Sequence, residues 1–413
     1  MSENKFGLIG KTLKHSYSKI IHEKFGGYNY NLYEIAPEDL KEFVLSKELL
    51  GYNVTIPYKK DIIPLLDYVD ESAKNIGAVN TVVNKGGLLY GYNTDFLGMV
   101  YMLNRAGITI KDKVVMILGS GGTSNTANAV AKSLGAKEII TVSRTGEINY
   151  QNCYDIKGVQ VIINTTPVGM YPNTDQSPID LTKFSNLEGV ADVIYNPFIT
   201  KLIYQAQQLK IKNTNGLPML VAQAKYAKDL FFDNVADDSL IDQIINELNR
   251  EMTNIVLIGM PGSGKSTLGK IIAQKLGREF IDTDEEIVKM DGRTIPEIFL
   301  ADGEPFFREL ENKVAKEVGA LYGKVISTGG GIIKNKENHF ALKKNGRIYL
   351  VNRALEKLVT EGRPLSKDKE TVEKMYRERK PLYDFFADEI IDNDGEIDSA
   401  VKGVIKRYEN TRN

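Results

Sequence analysis

The sequence has little that would tie it to a membrane, a polyanion or an oxidising compartment. Its 413 residues hold a single cysteine, Cys153. That excludes an internal disulfide framework and leads to the expectation of a reducing, cytoplasmic location. Lysine plus arginine (53) balances aspartate plus glutamate (54), for a formal net charge of −1. A general attraction to nucleic acid or to an anionic membrane is thereby excluded. No apolar run approaches the roughly 20 residues of a membrane span, and Met1–Lys5 is polar, unlike a secretory leader. Repeats, low-complexity tracts and Gly/Ser- or Pro-rich tethers are absent too. Oligomeric state leaves no mark on composition. With 42% apolar and 26% charged residues, the chain reads as ordinary globular protein, long enough for two or three cored domains.

Strand-like and helix-like stretches alternate from end to end, which predicts an α/β protein throughout. The most specific stretch lies past the middle. Ile255–Ile258 is a short apolar run of the kind that forms a buried parallel strand. Gly259-Met260-Pro261-Gly262-Ser263-Gly264-Lys265-Ser266 follows and fits the phosphate-loop pattern G-x-x-x-x-G-K-[ST]. Helical spacing then runs over Leu268–Leu276. Strand, glycine-rich turn and helix are the context in which backbone N–H groups converge on an anion. Such a loop normally opens a nucleotide-binding domain, yet a long chain precedes it, so the sequence reads as two proteins joined end to end.

In the first half, polar residues gather where apolar strands end. Ser16 and Ser18 precede a helical pattern, where they either cap the helix or hold a small anion. Gly51–Lys59 (GYNVTIPYK) ends an alternating strand in a proline and a lysine; Gly77–Thr81 (GAVNT) and Gly91–Asp95 (GYNTD) place small polar residues after apolar ones. The strand Lys113–Leu118 then leads through Gly119-Ser120-Gly121-Gly122-Thr123-Ser124 into a helix, a variant of the dinucleotide turn. The next strand, Glu138–Val142, ends in Ser143-Arg144-Thr145. An arginine where NAD enzymes carry an acid suits a 2′-phosphate, and so NADP. Two further strands, Val159–Ile163 and Ala191–Tyr195, lead to Asn164–Met170 (NTTPVGM) and Asn196-Pro197.

HSYS at 15–18, GYNVTIPYK, GAVNT, GYNTD, GSGGTS, NTTPVGM and NGLPMLVAQA at 215–224, all in this order, resemble shikimate dehydrogenase over residues 1–249. The resemblance implies a catalytic pair of Lys59 and Asp95, and a shikimate site made by Ser16, Ser18, Asn53, Thr55, Asn80, Asp95, Tyr195 and Gln223. It implies NADP(H) bound by Gly119, Ser120, Gly121, Gly122, Thr123, Ser143, Arg144 and Thr145, with Gly216 and Met219 completing that site. A substrate-binding lobe, 1–98, would be completed by helices within 218–249, around a Rossmann lobe at 99–217. Phe96 departs from the family, where glycine commonly follows NTD.

A short polar link, 250–254, separates this half from a second one, 255–413. Beyond the phosphate loop, Asp282-Thr283-Asp284 follows a strand end, where Mg²⁺ and an acceptor hydroxyl need oxygen ligands. Gly303–Glu311 (GEPFFRELE), Ser327–Gly331 (STGGG), Arg363-Pro364-Leu365 and Arg379–Tyr383 (RKPLY) come after it. The set resembles shikimate kinase, a P-loop α/β fold. The resemblance implies an ATP site of Gly259, Gly262, Ser263, Gly264, Lys265, Ser266 and Thr267, with Ser266 and Asp282 serving Mg²⁺. Lys265, Asp284 and Arg363 would be catalytic, Arg363 from a lid that is short here. Asp284, Arg308, Gly329, Gly330, Gly331 and Arg379 would hold shikimate.

The combined expectation is NADPH-dependent reduction of 3-dehydroshikimate to shikimate, then its phosphorylation to shikimate 3-phosphate with ATP and Mg²⁺. Small molecules are the only partners expected, with neither nucleic acid nor membrane among them. Three alternatives stay open: quinate as a further dehydrogenase substrate, another small-molecule P-loop kinase as the second half, and a regulator that binds ligands without turnover.

Overall fold

A computed structural model of the protein describes residues 5–13, 16–358 and 369–410. The chain forms two compact units, Met1–Ile245 and Asn246–Asn413. Among the described residues, no helix is long and apolar enough to cross a membrane.

The first unit holds two sheets. Strands β1 (Phe6–Gly10), β2 (Tyr30–Glu34), β3 (Gly51–Val54), β4 (Tyr68–Val69), β5 (Thr81–Lys85) and β6 (Leu88–Tyr92) form a sheet in the order β2-β1-β3-β5-β6-β4. It is parallel on one side, where β1 pairs with β2 and β3, and turns antiparallel at β5. The second sheet has β7 (Val114–Leu118), β8 (Glu138–Val142), β9 (Val161–Asn164), β10 (Gly189–Asp192) and β11 (Lys212–Thr214), in the order β11-β10-β9-β7-β8. All its pairings are parallel, and β7 is buried along its whole length, as a strand covered on both faces must be.

Two helices, Thr94–Arg105 between the sheets in sequence and Leu217–Phe232 after the second sheet, pack on each other. Gly98 is their contact point: a Cβ there would lie 2.7 Å from the Met219 carbonyl oxygen and 3.0 Å from Gln223 Cβ. The absent side chain is what lets the two backbones close on one another. Phe96 packs beside this crossing, against the cluster that includes Met99, Met102 and Leu103.

The second unit is one parallel sheet, built from β12 (Asn254–Ile258), β13 (Phe280–Asp282), β14 (Val325–Ser327), β15 (Gly346–Asn352) and β16 (Glu389–Asp392) in the order β13-β14-β12-β15-β16. The strand bearing the phosphate loop, β12, is central, and the ends of β13 and β14 lie beside it on one side.

The polar link expected at 250–254 is not a link. The helix Ser239–Met252 runs through it and β12 starts at Asn254. Ile241, Ile244, Ile245, Leu248 and Met252 are all buried, so the apolar spacing of a helix face continues to Met252. Asn249, Arg250 and Glu251 occupy its wetter side. The division between the units therefore falls inside a helix.

Candidate active sites

In the first unit, Lys59 Nζ donates to Asp95 Oδ2 at 2.6 Å. Both side chains are mostly shielded, with 25% and 12% of their surface exposed. Each is fixed from behind. The carbonyl of Lys59 accepts from the Val79 N–H. Asp95 lies in the first turn of helix Thr94–Arg105, whose start is held twice: Asn93 Oδ1 caps the Phe96 N–H, and Asn80 Oδ1 accepts the Thr94 N–H at 2.7 Å. Of the seven other expected shikimate ligands, Ser16, Ser18 and Tyr195 come together. Ser16 Oγ accepts the Ser18 N–H at 3.2 Å at the start of helix Ser18–Phe25, and the ring of Tyr17 between them meets Tyr195 edge-on at 5.6 Å. Tyr17, which flanks that helix, makes no side-chain cap, and Ser16 takes up the N–H of the helix's first residue, while the Ser18 hydroxyl has no such task. Burial, with Tyr17 adding to it, pushes the Tyr195 phenol up to about 12, which keeps it a hydrogen-bond donor at neutral pH. Gln223 sits at the Gly98 crossing, one helical turn past Asp95.

Asn53 and Asn80 are both buried and hydrogen-bonded into the frame around the Lys59–Asp95 pair. Asn53 is buried, accepts from the Tyr30 hydroxyl at 2.7 Å, and donates to the Asn80 carbonyl and to Thr81 Oγ1. Asn80 Nδ2 donates to Thr94 Oγ1. Their amides hold β3, β5 and the Asp95 helix to one another. Thr55, by contrast, is half-buried just past β3, against Gly10.

The dinucleotide turn forms as expected. Gly119 has φ +110°, a conformation that only glycine takes easily, and Ser124 Oγ ties its carbonyl at 2.7 Å. A Cβ on Gly121 or Gly122 would meet nothing within 4 Å, so the N-terminus of helix Gly122–Ser133 opens on free space beside Ser120 and Thr123. Ser143, Arg144 and Thr145 follow β8, the neighbour of β7, with Arg144 exposed. Two further expected cofactor residues are tightly packed. Gly216 is pressed against the Val193 carbonyl, and Met219 is buried in the core with Met99 and Met102.

One group escaped the sequence reading. Asp192, fully buried at the end of β10, accepts from Asn164 Nδ2 at 3.0 Å, the Ile194 N–H at 3.1 Å and Thr200 Oγ1 at 2.7 Å. It ties the loop after β9 to the loop that bears Tyr195. The strand ends here, short of the expected Tyr195, because the Asp192 side chain folds back on Ile194.

In the second unit, Gly259, Gly262 and Gly264 all take positive φ, turning the loop so that its N–H groups face inward. Asn393 Nδ2 donates to the Ser263 carbonyl at 2.8 Å and braces the loop from β16; no motif announced it. Lys265 Nζ donates to the carbonyls of Gly259 and Met260, both at 3.0 Å, and Thr267 is exposed. Ser266 Oγ donates to Asp282 Oδ2 at 2.7 Å and lies 3.1 Å from Ser327 Oγ. Asp282 also caps its helix, accepting the Asp284 N–H with its other oxygen.

Asp284, Arg308 and Arg379 converge on the three glycines. A Cβ on Gly329 would stand 2.5 Å from Asp284 Oδ1, and one on Gly331 2.5 Å from both terminal nitrogens of Arg308. Arg379 Nη1 and the Tyr383 hydroxyl both donate to the Gly330 carbonyl, at 2.9 and 2.7 Å. Beneath them lies Glu311, also missed by sequence reasoning because an Arg-x-x-Glu spacing on a helix reads as a surface pair. It is 1% exposed, pairs through Oε2 with Arg308 at 2.8 Å, and its Oε1 has no partner among the described residues. Burial pushes its carboxyl up to about 7, against the pull of Arg308. Arg363 lies outside the described residues.

An open dinucleotide turn and a Lys–Asp pair in one unit, then a phosphate loop and an Asp–Arg cluster in the next, define a dehydrogenase-type unit joined to a small-molecule kinase-type unit. Residues 8–82 match the substrate-binding domain of shikimate dehydrogenase, and residues 261–409 match shikimate kinase. The NADP(+) shikimate dehydrogenase of Clostridium beijerinckii is 37% identical over 267 residues, which is 60% of this chain and 98% of that protein. A chorismate mutase/shikimate 5-dehydrogenase fusion from Clostridium acetobutylicum superposes with a TM-score of 0.58 at 38% identity, covering 60% of this chain and 97% of its own. The Thermus thermophilus shikimate 5-dehydrogenase, solved with NADP(H) and shikimate, gives 0.53 at 26% identity, covering 59% and 98%. The chain belongs to the shikimate dehydrogenase family and carries a shikimate kinase domain after it.

Proposed function

We propose that the first unit reduces 3-dehydroshikimate to shikimate with NADPH, and that the second phosphorylates the shikimate 3-hydroxyl with MgATP. A shikimate dehydrogenase unit and a shikimate kinase domain on one chain make a bifunctional shikimate-pathway enzyme. The observation that carries the reading is the 2.6 Å contact of Lys59 Nζ with Asp95 Oδ2. Reduction of a ketone puts negative charge on its oxygen, and a fixed ammonium can both stabilise that charge and deliver the proton. Asp95 orients the ammonium and accepts from a substrate hydroxyl. Ser16, Ser18, Thr55, Tyr195 and Gln223 supply the surrounding polar contacts.

The turn Gly119–Thr123 fits a pyrophosphate, since nothing crowds the space over Gly121 and Gly122. NADPH held there would supply the hydride, and Arg144 would pair with its 2′-phosphate. In the second unit, Ser266 and Asp282 form an oxygen pair suited to Mg²⁺, which would neutralise phosphate charge there. No cluster of three or more His, Cys, Asp or Glu that could hold a metal occurs among the described residues. A cation shared with nucleotide phosphates and water needs none. Lys265 swings from the loop carbonyls to the phosphates, Asp284 takes the proton of the acceptor hydroxyl, and Arg308 and Arg379 hold the carboxylate. Arg363 would neutralise charge on the transferring group, the role that the resemblance implies for it. Both reactions are placed in the cytoplasm, with shikimate-type small molecules as partners.

Paired variants of the full chain test this. Lys59→Ala should lower reduction by roughly 100- to 10,000-fold while phosphorylation stays near wild type, and Lys265→Ala should do the reverse. Retention of more than half the reduction rate in Lys59→Ala would remove the lysine from the mechanism.

A further inference from the structure

Arg308 is not waiting for a substrate. Its Nε and Nη2 both donate to Glu304 Oε1, at 3.1 and 2.9 Å, and its Nη1 donates to Glu311 Oε2 at 2.8 Å. The backbone at Gly331 lies against its two terminal nitrogens. The Nε–Nη2 edge presents the parallel N–H bonds that a carboxylate grips best, and Glu304 holds that edge. The two glutamates differ in what surrounds them. Glu311 is 1% exposed and fixed beneath the glycines, whereas the Glu304 side chain is 44% exposed. Glu304 also has a second cation. Lys334 Nζ donates to the same Oε1 at 2.7 Å, from the short turn Ile332–Lys334 that follows Gly331.

We propose that Glu304 occupies, in the free enzyme, the edge of Arg308 that receives the substrate's carboxylate, and that Lys334 takes Glu304 over when the substrate displaces it. This rests on the reading of Arg308 as the carboxylate receptor. Substrate binding is then an exchange of one carboxylate for another on a single guanidinium. The Arg308 side chain is already mostly shielded, at 17% exposed, and the net attraction is the difference between two similar pairs. Glu304 thereby sets affinity, and discriminates against anions too weak to displace it. Lys334 lowers the barrier by giving the displaced glutamate a partner in place, without a swing into water. A glutamate that only oriented Arg308 would have the opposite effect when removed.

The test is the shikimate KM of the kinase reaction, read by ADP release from the full chain at saturating MgATP, so that shikimate held by the first unit does not enter. Glu304→Gln should lower that KM by about two- to five-fold, the range of a partly exposed ion pair. Glu304→Asp, which keeps the charge but withdraws it from Arg308, should lower it too. Lys334→Met leaves Glu304 with Arg308 alone and should raise it. The uncharged methyl ester of shikimate should show no such differences, and high salt should shrink them. A KM that rises or stays unchanged in Glu304→Gln overturns the proposal. If instead Arg308→Met leaves KM for shikimate unaltered, the underlying assignment of Arg308 fails, whatever Glu304 does.

Discussion

Gly329→Ala is the sharpest probe of the kinase site, because the new atom is small and its position is fixed. The Gly329 N–H is bonded to Thr283 Oγ1 at 3.0 Å, so the backbone cannot slide away freely. An added Cβ would stand 2.5 Å from Asp284 Oδ1 and 3.4 Å from Glu311 Oε1. The second distance is tight but tolerable; the first is closer than side chains approach. To regain ordinary contact, the Asp284 carboxylate must retreat by roughly 1 Å. Misplacing a catalytic group by that much costs on the order of 100-fold in rate, while the overpacking itself destabilises by about 1–3 kcal/mol. Phosphorylation measured by ADP release should fall accordingly, with KM for ATP little changed, since the phosphate loop is untouched. Hydride transfer by the first unit serves as the internal control. A Gly329→Ala enzyme within threefold of the wild-type kinase rate would show that Asp284 does not act where it lies.

Three further outcomes are expected. Arg144→Ala should raise KM for NADPH far more than KM for NADH in steady-state kinetics; equal effects would mean that Arg144 does not read the 2′-phosphate. Glu311 is harder to ionise folded, at about 7, than its ordinary value of 4.5, so its contribution to stability is greatest below 4.5 and is lost as pH rises through 7. Glu311→Gln should therefore flatten the pH dependence of kinase-unit melting between those values, and an unchanged slope would remove Glu311 as its source. A kinase fragment starting at residue 246 should melt above one starting at 253, because Arg278 donates to the carbonyls of Arg250 and Glu251, and the Gly323 N–H to that of Met252. Loss of a few such bonds costs about 2–4 kcal/mol, or roughly 5–15 °C in a unit of this size, and calorimetry giving equal midpoints would refute it.

How much of this was legible in the sequence depends on how local the cause is. The phosphate loop and the dinucleotide turn could be read because positive φ selects glycine at fixed offsets, and the structure has those angles at Gly119, Gly259, Gly262 and Gly264. Buried parallel strands were legible to within a residue or two because β7 and β12 are apolar runs that need no partner to be recognised. The 250–254 link was misread because polar residues on the wet side of a helix look like a loop when the buried face is sampled only once every three or four residues. Glu311 and Glu304 share one helix and one arginine, yet one is buried and the other half exposed. That difference is set by the glycine loop from β14, which no spacing within the helix encodes.

Asn53 and Asn80 carry the point furthest. Each stands at a strand end among apolar residues, the pattern expected of a ligand-binding side chain. The same pattern arises when an amide must satisfy the polar backbone where strands stop pairing. Asn53 performs the second task, with Tyr30, Asn80 and Thr81 sharing its hydrogen bonds. Asn80 spends its amide on the helix that presents Asp95. Since the Lys59–Asp95 geometry depends on where that helix begins, these asparagines reach the chemistry through the backbone they hold.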